Sequence, residues 1–183
     1  IPYLEGLSTL SLNNNNIDDI SVLPYISEYL WEIYLANNNI TDMYPVSQLS
    51  SEYLEIDLSN NQISEFIMNE IDYNINLDNN EIFEIPEEIS TVDSRITLKN
   101  QNTVIDNLEF EINQENFVDL PSGISKLYNE RYKTNANIIT ENCTIDYESG
   151  NIIVEPTTYG ENSSRITIEK GGIFTGSIYT LNY

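Results

Sequence analysis

A mainly β chain, a solenoid of short parallel strands followed by a β-sandwich, is predicted by three observations. Pairs of aliphatic residues two places apart recur at a near-constant interval as far as Leu98. An asparagine stands three places after each of the first four pairs. Beyond Asn102 the recurrence stops, and short apolar or alternating runs follow, separated by turn residues.

The unit is laid out in Leu7-Ser8-Thr9-Leu10-Ser11-Leu12-Asn13-Asn14-Asn15-Asn16-Ile17, with leucine at the first, fourth and sixth places, asparagine at the ninth and isoleucine at the eleventh. This is the pattern of a leucine-rich repeat. Aligned on the sixth place, the chain gives Leu12, Leu35, Leu58, Leu77 and Leu98 at spacings of 23, 23, 19 and 21 residues, hence five turns of one coil. Their fourth-place partners are Leu10, Ile33, Ile56, Ile75 and Ile96. Residues two apart on a strand share a face, so each pair points inward, and only neighbouring turns bury it.

The ninth place reads Asn15, Asn38, Asn61, Asn80 and then Gln101. Where the chain leaves each strand, backbone N–H and C=O groups turn inward away from water. A buried carboxamide offers both donors and an acceptor at that bend. Asn15, Asn38, Asn61 and Asn80 are therefore read as a structural ladder.

The back of the coil repeats a second frame: Asn, any residue, Ile, any residue, an acid, an apolar residue. It is met in Asn15-Asn16-Ile17-Asp18-Asp19-Ile20, in Asn38 to Val46, in Asn61-Gln62-Ile63-Ser64-Glu65-Phe66 and in Asn80 to Pro86. A period near 22 leaves little room for full helices, so short 3₁₀ turns are expected there. The frame, over residues 7 to about 101, resembles the internalin family of Gram-positive surface proteins, whose repeats run Asn-x-Ile-x-Asp-Ile-x-Pro-Leu. The chain departs from it in the 19-residue turn, in Asp72 at a first place and in Gln101 at the last ladder position. The resemblance implies a secreted or cell-surface protein that binds other proteins in adhesion or host contact. An export signal and an anchor are expected to lie outside this fragment, whose first residues continue a repeat already under way.

The fifth turn, Asp93 to Asn102, leaves the asparagine frame and brings the first basic residues, as a terminal repeat does. Its strand would be an open edge unless something covers it. Downstream, strands are expected at Leu108–Ile112, Asn137–Thr140, Cys143–Tyr147, Asn151–Glu155, Arg165–Glu169 and Ser177–Tyr183, with no helix of useful length. Their spacing over about 80 residues suits an immunoglobulin-like sandwich. The expected domains are a solenoid over residues 1 to 102 and the sandwich over 103 to 183. In internalin-like proteins such a domain follows the repeats and continues their sheet, which would cover the open edge.

Charge limits the functions that fit. The 183 residues hold 30 Asp and Glu, 7 Lys and Arg and no histidine, a formal net of -23. Residues 1 to 94 carry 18 of the acids and no base at all, while the rest carry 12 acids and all 7 bases. Such a field repels nucleic-acid backbones and anionic membranes. No apolar run is long enough to insert in a membrane. A basic protein, a neutral glycan and Ca²⁺ are compatible with it, as is plain solubility. Without histidine the usual general base and zinc ligand are missing, so no enzyme, cofactor or metal site is expected. Cys143 has no partner for a disulfide and reads as a small buried apolar residue. Gly171-Gly172 reads as a hairpin turn, not a phosphate loop.

Residues flanking each inward pair point outward and line up across turns into rows on the concave face. Two places before the fourth position stand Ser8, Trp31, Leu54, Tyr73 and Ser94, and one place before stand Thr9, Glu32, Glu55, Asn74 and Arg95. Between the pair come Ser11, Tyr34, Asp57, Asn76 and Thr97, and just after it Asn13, Ala36, Ser59, Asp78 and Lys99. The middle turns thus present Trp31, Tyr34, Leu54 and Tyr73 beside Glu32, Glu55, Asp57 and Asp78. Aromatic anchors ringed by charge mark the centres of interfaces, so these eight are the candidate partner-binding residues. A structural spacer with no ligand, or glycan binding by the aromatic row, are the alternatives.

Overall fold

The structure, a computed structural model, describes residues 6–49, 54–67, 74–87, 89–90, 95–129, 136–158, 162–170 and 172–183. Strands β1 (Thr9–Ser11), β2 (Glu32–Tyr34), β3 (Glu55–Asp57), β4 (Asn74–Asn76) and β5 (Ile96–Thr97) form one parallel sheet in chain order. The register sets Leu10, Ile33, Ile56, Ile75 and Ile96 side by side. The repeat alignment therefore holds, even across the 19-residue turn. Ile33, Ile56, Ile75 and Ile96, with Leu35, Leu58, Leu77 and Leu98, are buried between turns. Leu10 is half-buried and Leu12 exposed, because the first turn has a described neighbour on one side only.

The ladder takes one geometry four times. Asn38, Asn61, Asn80 and Gln101 are buried. Each side-chain oxygen accepts an isoleucine N–H of the preceding turn: Ile17, Ile40 and Ile63 at 3.0 Å, and Ile82 at 2.8 Å. Each side-chain nitrogen donates to the sixth-place carbonyl of that same preceding turn, Leu12, Leu35, Leu58 or Leu77, at 2.8–3.1 Å. The asparagines also donate to their own turn's leucine carbonyls, Leu35, Leu58 and Leu77. Gln101, with one more methylene, makes the same two bonds to the preceding turn and in its own turn donates to the Lys99 carbonyl at 3.3 Å. Asn15, with no described turn before it, is exposed and donates only to Leu12 and Asn13 of its own turn.

A second asparagine role escaped the sequence reading. The eighth-place residues Asn14, Asn37, Asn60, Asn79 and Asn100 all have φ between 55° and 60°. Asparagine tolerates this left-handed backbone better than other residues with a Cβ. Their N–H groups donate outward along the stack, to Ala36, Ser59, Asp78, Lys99 and Thr175 carbonyls. Each Asn-Asn doublet thus bends the chain with its first member and ties turns together with its second.

On the convex side, 3₁₀ turns form at Leu23–Tyr25 and Ser27–Tyr29, and the second repeat closes instead with a single α-turn, α1 (Tyr44–Ser47). The acids of the repeated frame start these bends. Asp19 accepts the N–H of Ser21 and Asp42 that of Tyr44, both at 2.8 Å. Hydrogen bonds from the Ser21 backbone and side chain hold the Asp19 carboxyl below its ordinary pKa.

Past the solenoid come β6 (Asn102–Ile105), β7 (Asn116–Asp119), helix α2 (Ser122–Asn129), β8 (Asn137–Glu141), β9 (Thr144–Asp146), β10 (Asn151–Val154), β11 (Ser163–Lys170) and β12 (Ser177–Asn182). They make two sheets, ordered β6-β12-β11-β8 and β7-β10-β9, antiparallel except for the parallel pair β6 and β12. Five of the six expected strands are present. The sixth, Leu108–Ile112, forms no ladder, although its side chains do alternate between half-buried and exposed. Left-handed Asn107 and Asn113 bound it at both ends, and the Asn116 side chain takes the Glu111 N–H and C=O that a partner strand would need. Strands β6 and β7 and helix α2 were not expected. The helix is only eight residues long, and among its described side chains the buried apolar ones are Ile124 and Leu127, too few to show a period.

The β11–β12 connection and helix α2 cover the open end. The β11–β12 connection carries a 3₁₀ turn, Gly172–Phe174, laid along β5. Leu98 N–H donates to Ile173 at 3.2 Å, Asn100 to Thr175 at 3.1 Å and Gln101 to the Ser177 hydroxyl at 3.0 Å. Helix α2 docks on the back of the fourth turn. Gly123 N–H donates to Phe83 at 2.8 Å, and the Ser122 hydroxyl takes the Ile85 N–H at 2.8 Å. Lys126 reaches the Pro86 and Glu87 carbonyls. Phe83 stacks on Phe174 at 5.8 Å and meets Tyr179 edge-on at 5.3 Å. One continuous apolar core runs from Ile20 to Leu181.

Two stability predictions follow from these contacts. Asn61→Leu strands the Ile40 N–H, at about 1–3 kcal/mol for the orphaned donor, and leaves the Leu35 and Leu58 carbonyls with one side-chain donor each, Asn38 and Asn80. Asn15→Leu, at an exposed site, changes stability by less than about 0.5 kcal/mol. Urea unfolding of the two variants side by side measures the difference, and equal midpoints would refute the ladder. A Cβ at Gly123 would stand 2.5 Å from the Phe83 oxygen and 2.8 Å from Phe174 Cζ. Gly123→Ala is therefore expected to cost about 1–3 kcal/mol through overpacking. A calorimetric melting temperature equal to that of the wild type would show that the helix is not held this tightly.

Candidate functional site

The concave rows form as the repeat register requires. Glu32 faces Glu55 across adjacent strands, and Tyr34 faces Asp57, at the spacing of paired strands. Glu32 accepts the Thr9 hydroxyl at 2.9 Å. Asp57 accepts the Ser59 N–H at 3.0 Å, and Asp78 takes the Lys99 N–H of the next turn at 2.8 Å. Both aspartates therefore hold backbone in place as well as presenting charge. Tyr34 is half-buried among them. Its desolvation, followed by the carboxylates of Glu32, Glu55 and Asp57, pushes the phenol above its ordinary pKa. It stays neutral and able to donate a hydrogen bond across the physiological range.

A shallow groove runs from Tyr34 over Glu55, Asp57, Asn74 and Asn76 to Arg95 and Thr97. Thr97 donates to Asn76 at 2.8 Å on its floor. The groove is acidic at the second and third turns and basic at the fifth, where Lys99 is also exposed.

Of the eight candidate residues, six are placed on or beside this face. Trp31 is 70% exposed, Glu55 is exposed, and Glu32, Tyr34, Asp57 and Asp78 are half-buried. Leu54 corrects the sequence reading: it is fully buried and offers nothing to a partner. Turn two fills its inner apolar slot with Leu30, one residue before Trp31. Turn three has Tyr53 at that place, and the following residue, Leu54, goes inside instead. Tyr73 lies outside the described residues. Two exposed aromatics, Tyr25 at 87% and Tyr29 at 50%, were overlooked because they sit off the strand positions used to trace the rows. Cys143 is half-buried, its thiol pushed up in pKa mainly by desolvation. Among the described residues no helix is long and apolar enough to cross a membrane.

No family model matches the sequence, and a search of curated proteins finds no match. Solved structures do resemble it. The crystal structure of InlP from Listeria monocytogenes superposes with a TM-score of 0.59 at 19% identity, over 96% of this chain and 52% of that one. An internalin-like protein of the same organism gives 0.54 at 16% identity, over 96% and 63%. The functional domain of InlJ, described as including a cysteine ladder, gives 0.53 at 14% identity, over 98% and 43%. The chain thus spans between 43% and 63% of the length of these structures. Where InlJ is described by cysteines, the present chain stacks carboxamides. In its fold, the chain is similar to the internalin-like leucine-rich repeat proteins.

Proposed function

We propose that the chain is the non-enzymatic binding module of a bacterial surface protein, recognising a protein partner through the concave face of its repeats. In this reading, residues 1 to 102 are the recognition solenoid and residues 103 to 183 an immunoglobulin-like sandwich that closes and stiffens it. Seven strands in two sheets, with the first and last paired in parallel, support the immunoglobulin-like assignment. The observation that carries the binding role is Trp31. A lone tryptophan left 70% exposed at the mouth of a carboxylate-lined face gives the fold nothing, while tryptophan and tyrosine dominate binding hot spots. Glu32, Glu55, Asp57 and Asp78 give the face beside that anchor its negative charge, and neutral Tyr34 adds a hydrogen-bond donor, which favours a basic partner and fast, salt-sensitive association. Adhesion or host contact, outside the cell, is the setting in which such a module works.

The test uses a variant that removes recognition and keeps the scaffold: Trp31→Ala, Tyr34→Ala and Asp57→Asn together. Asparagine at position 57 keeps an acceptor for the Ser59 N–H and removes the charge. The wild type is screened against a surface-displayed panel of host proteins and a glycan array. The expected result is capture of a protein, lost by at least about tenfold in the variant while the melting curve is unchanged. Capture should weaken between about 50 and 500 mM salt, as exposed charges are screened. Equal binding at both salts removes the electrostatic component. Glycans captured instead of proteins favour the aromatic row as a sugar platform, and capture of neither leaves the module a spacer.

A further inference from the structure

Among the described residues of the solenoid, three exposed aromatic side chains gather in one short segment, while a fourth, Tyr44, stands 53% exposed on α1. Tyr25, Tyr29 and Trp31 are 87%, 50% and 70% exposed, and Val22 beside them is 40% exposed. Tyr25 ends the first 3₁₀ turn on the convex side, Tyr29 ends the second, and Trp31 directly precedes β2 on the concave side. Six residues built largely of 3₁₀ turns, rising about 2 Å each, keep these three backbones within roughly 12 Å along the chain. The rings therefore mark a ridge that crosses the rim of the coil from back to front. Packing within the chain does not account for it, since the inward work of this segment is done by Leu23 and Leu30, both buried.

The charges around the ridge narrow its occupant. Glu28 stands exposed next to Tyr29, and Glu32 follows Trp31. No Lys or Arg occurs anywhere in residues 1 to 94. A second copy of the same ridge would bring carboxylates against carboxylates, and an apolar partner would leave Glu28 and Glu32 desolvated with nothing to pair. An arginine or lysine gains from both features, its stem and cation lying on an aromatic face and its charge meeting the acids.

We propose that the ridge Tyr25–Tyr29–Trp31 docks an arginine- or lysine-bearing segment of a partner protein, extending the binding surface from the concave floor over the rim. This rests on the protein-binding reading above and relocates its anchor. The probe is a fluorescein-labelled hexa-arginine peptide, followed by anisotropy at low salt. Four proteins are compared: wild type, Tyr25→Ser with Tyr29→Ser, the concave variant described above, and Phe117→Ser. Phe117 is 58% exposed on β7, far along the chain from the ridge, and controls for the loss of any exposed aromatic.

The rim variant is expected to bind about tenfold more weakly, the effect of losing two cation–π contacts, with an unchanged melting curve. Phe117→Ser should bind as the wild type does. A rim variant that binds as tightly as wild type overturns the ridge; if the concave variant still loses affinity, the concave reading survives alone. A wild type that ignores hexa-arginine, or an equal loss in Phe117→Ser, overturns the ridge as well. So does capture of cellohexaose in preference to the peptide, which would make the ridge a sugar platform.

Discussion

A buried carboxamide that bridges two turns is the interaction on which the rest of this molecule depends. A solenoid strand of two or three residues offers too few backbone hydrogen bonds to hold its own shape. Every turn must also leave the strand through a bend whose inward N–H and C=O groups are cut off from water. Asn38, Asn61, Asn80 and Gln101 satisfy the bend of their own turn and of the turn before it at once. Each turn is thereby unfinished without its successor. That coupling makes five short strands behave as one sheet, and it explains why a shortened 19-residue turn is tolerated. The four residues this turn lacks fall between Phe66 and Asn74 in the sequence, and the strand, the left-handed asparagine and the ladder residue keep their places.

The same dependence decides what happens at the end of the stack. After Gln101 no further asparagine turn arrives, so Asn100 and Gln101 have N–H groups with no repeat to receive or supply their partners. The Thr175 carbonyl and the Ser177 hydroxyl take them, on the connection between two strands of the second region. Phe174, buried and stacked on Phe83, anchors that connection from inside. The join is therefore continuous in both currencies, backbone hydrogen bonds on the sheet side and aromatic packing on the back.

How much of this was legible in the sequence follows from how local each feature is. The solenoid could be read because its signal recurs: the Leu10, Ile33, Ile56 series is fixed by spacing alone, and each new copy confirms the last. The left-handed role of Asn14 and its equivalents was just as regular, yet the ninth-place asparagine claimed attention and its neighbour was passed over. The second region has no such repetition. Strand Leu108–Ile112 has the right alternation and fails only because Asn107, Asn113 and Asn116 withdraw its backbone from pairing, information carried by three single residues. Helix α2 owes its existence to Phe83 and Phe174, contacts that no local window contains. Among the site residues, Trp31 and Leu54 hold the same repeat position and go opposite ways, because Leu30 fills the inner slot in one turn and the slot in the next falls to Leu54. Periodicity assigns positions, and the volume left in the core decides which side chains those positions must surrender.

That last point bears on where the proposed recognition surface lies. The inner positions are committed to the stack, and Asp57 and Asp78 are half committed, since each holds a backbone N–H. The residues free to vary are the outward ones of the middle turns and those on the rim, and it is there that the large aromatic groups stand. A ring beside carboxylates is well matched to a cation, and best to a guanidinium, which is more weakly hydrated than an ammonium and loses less on meeting both partners together. The surface without a single positive charge of its own, from Gly6 to Glu87, thus reads as an electrostatic template of low specificity overall. In the proposed reading, Tyr25, Tyr29, Trp31 and Tyr34 would turn that long-range attraction into a particular docking place.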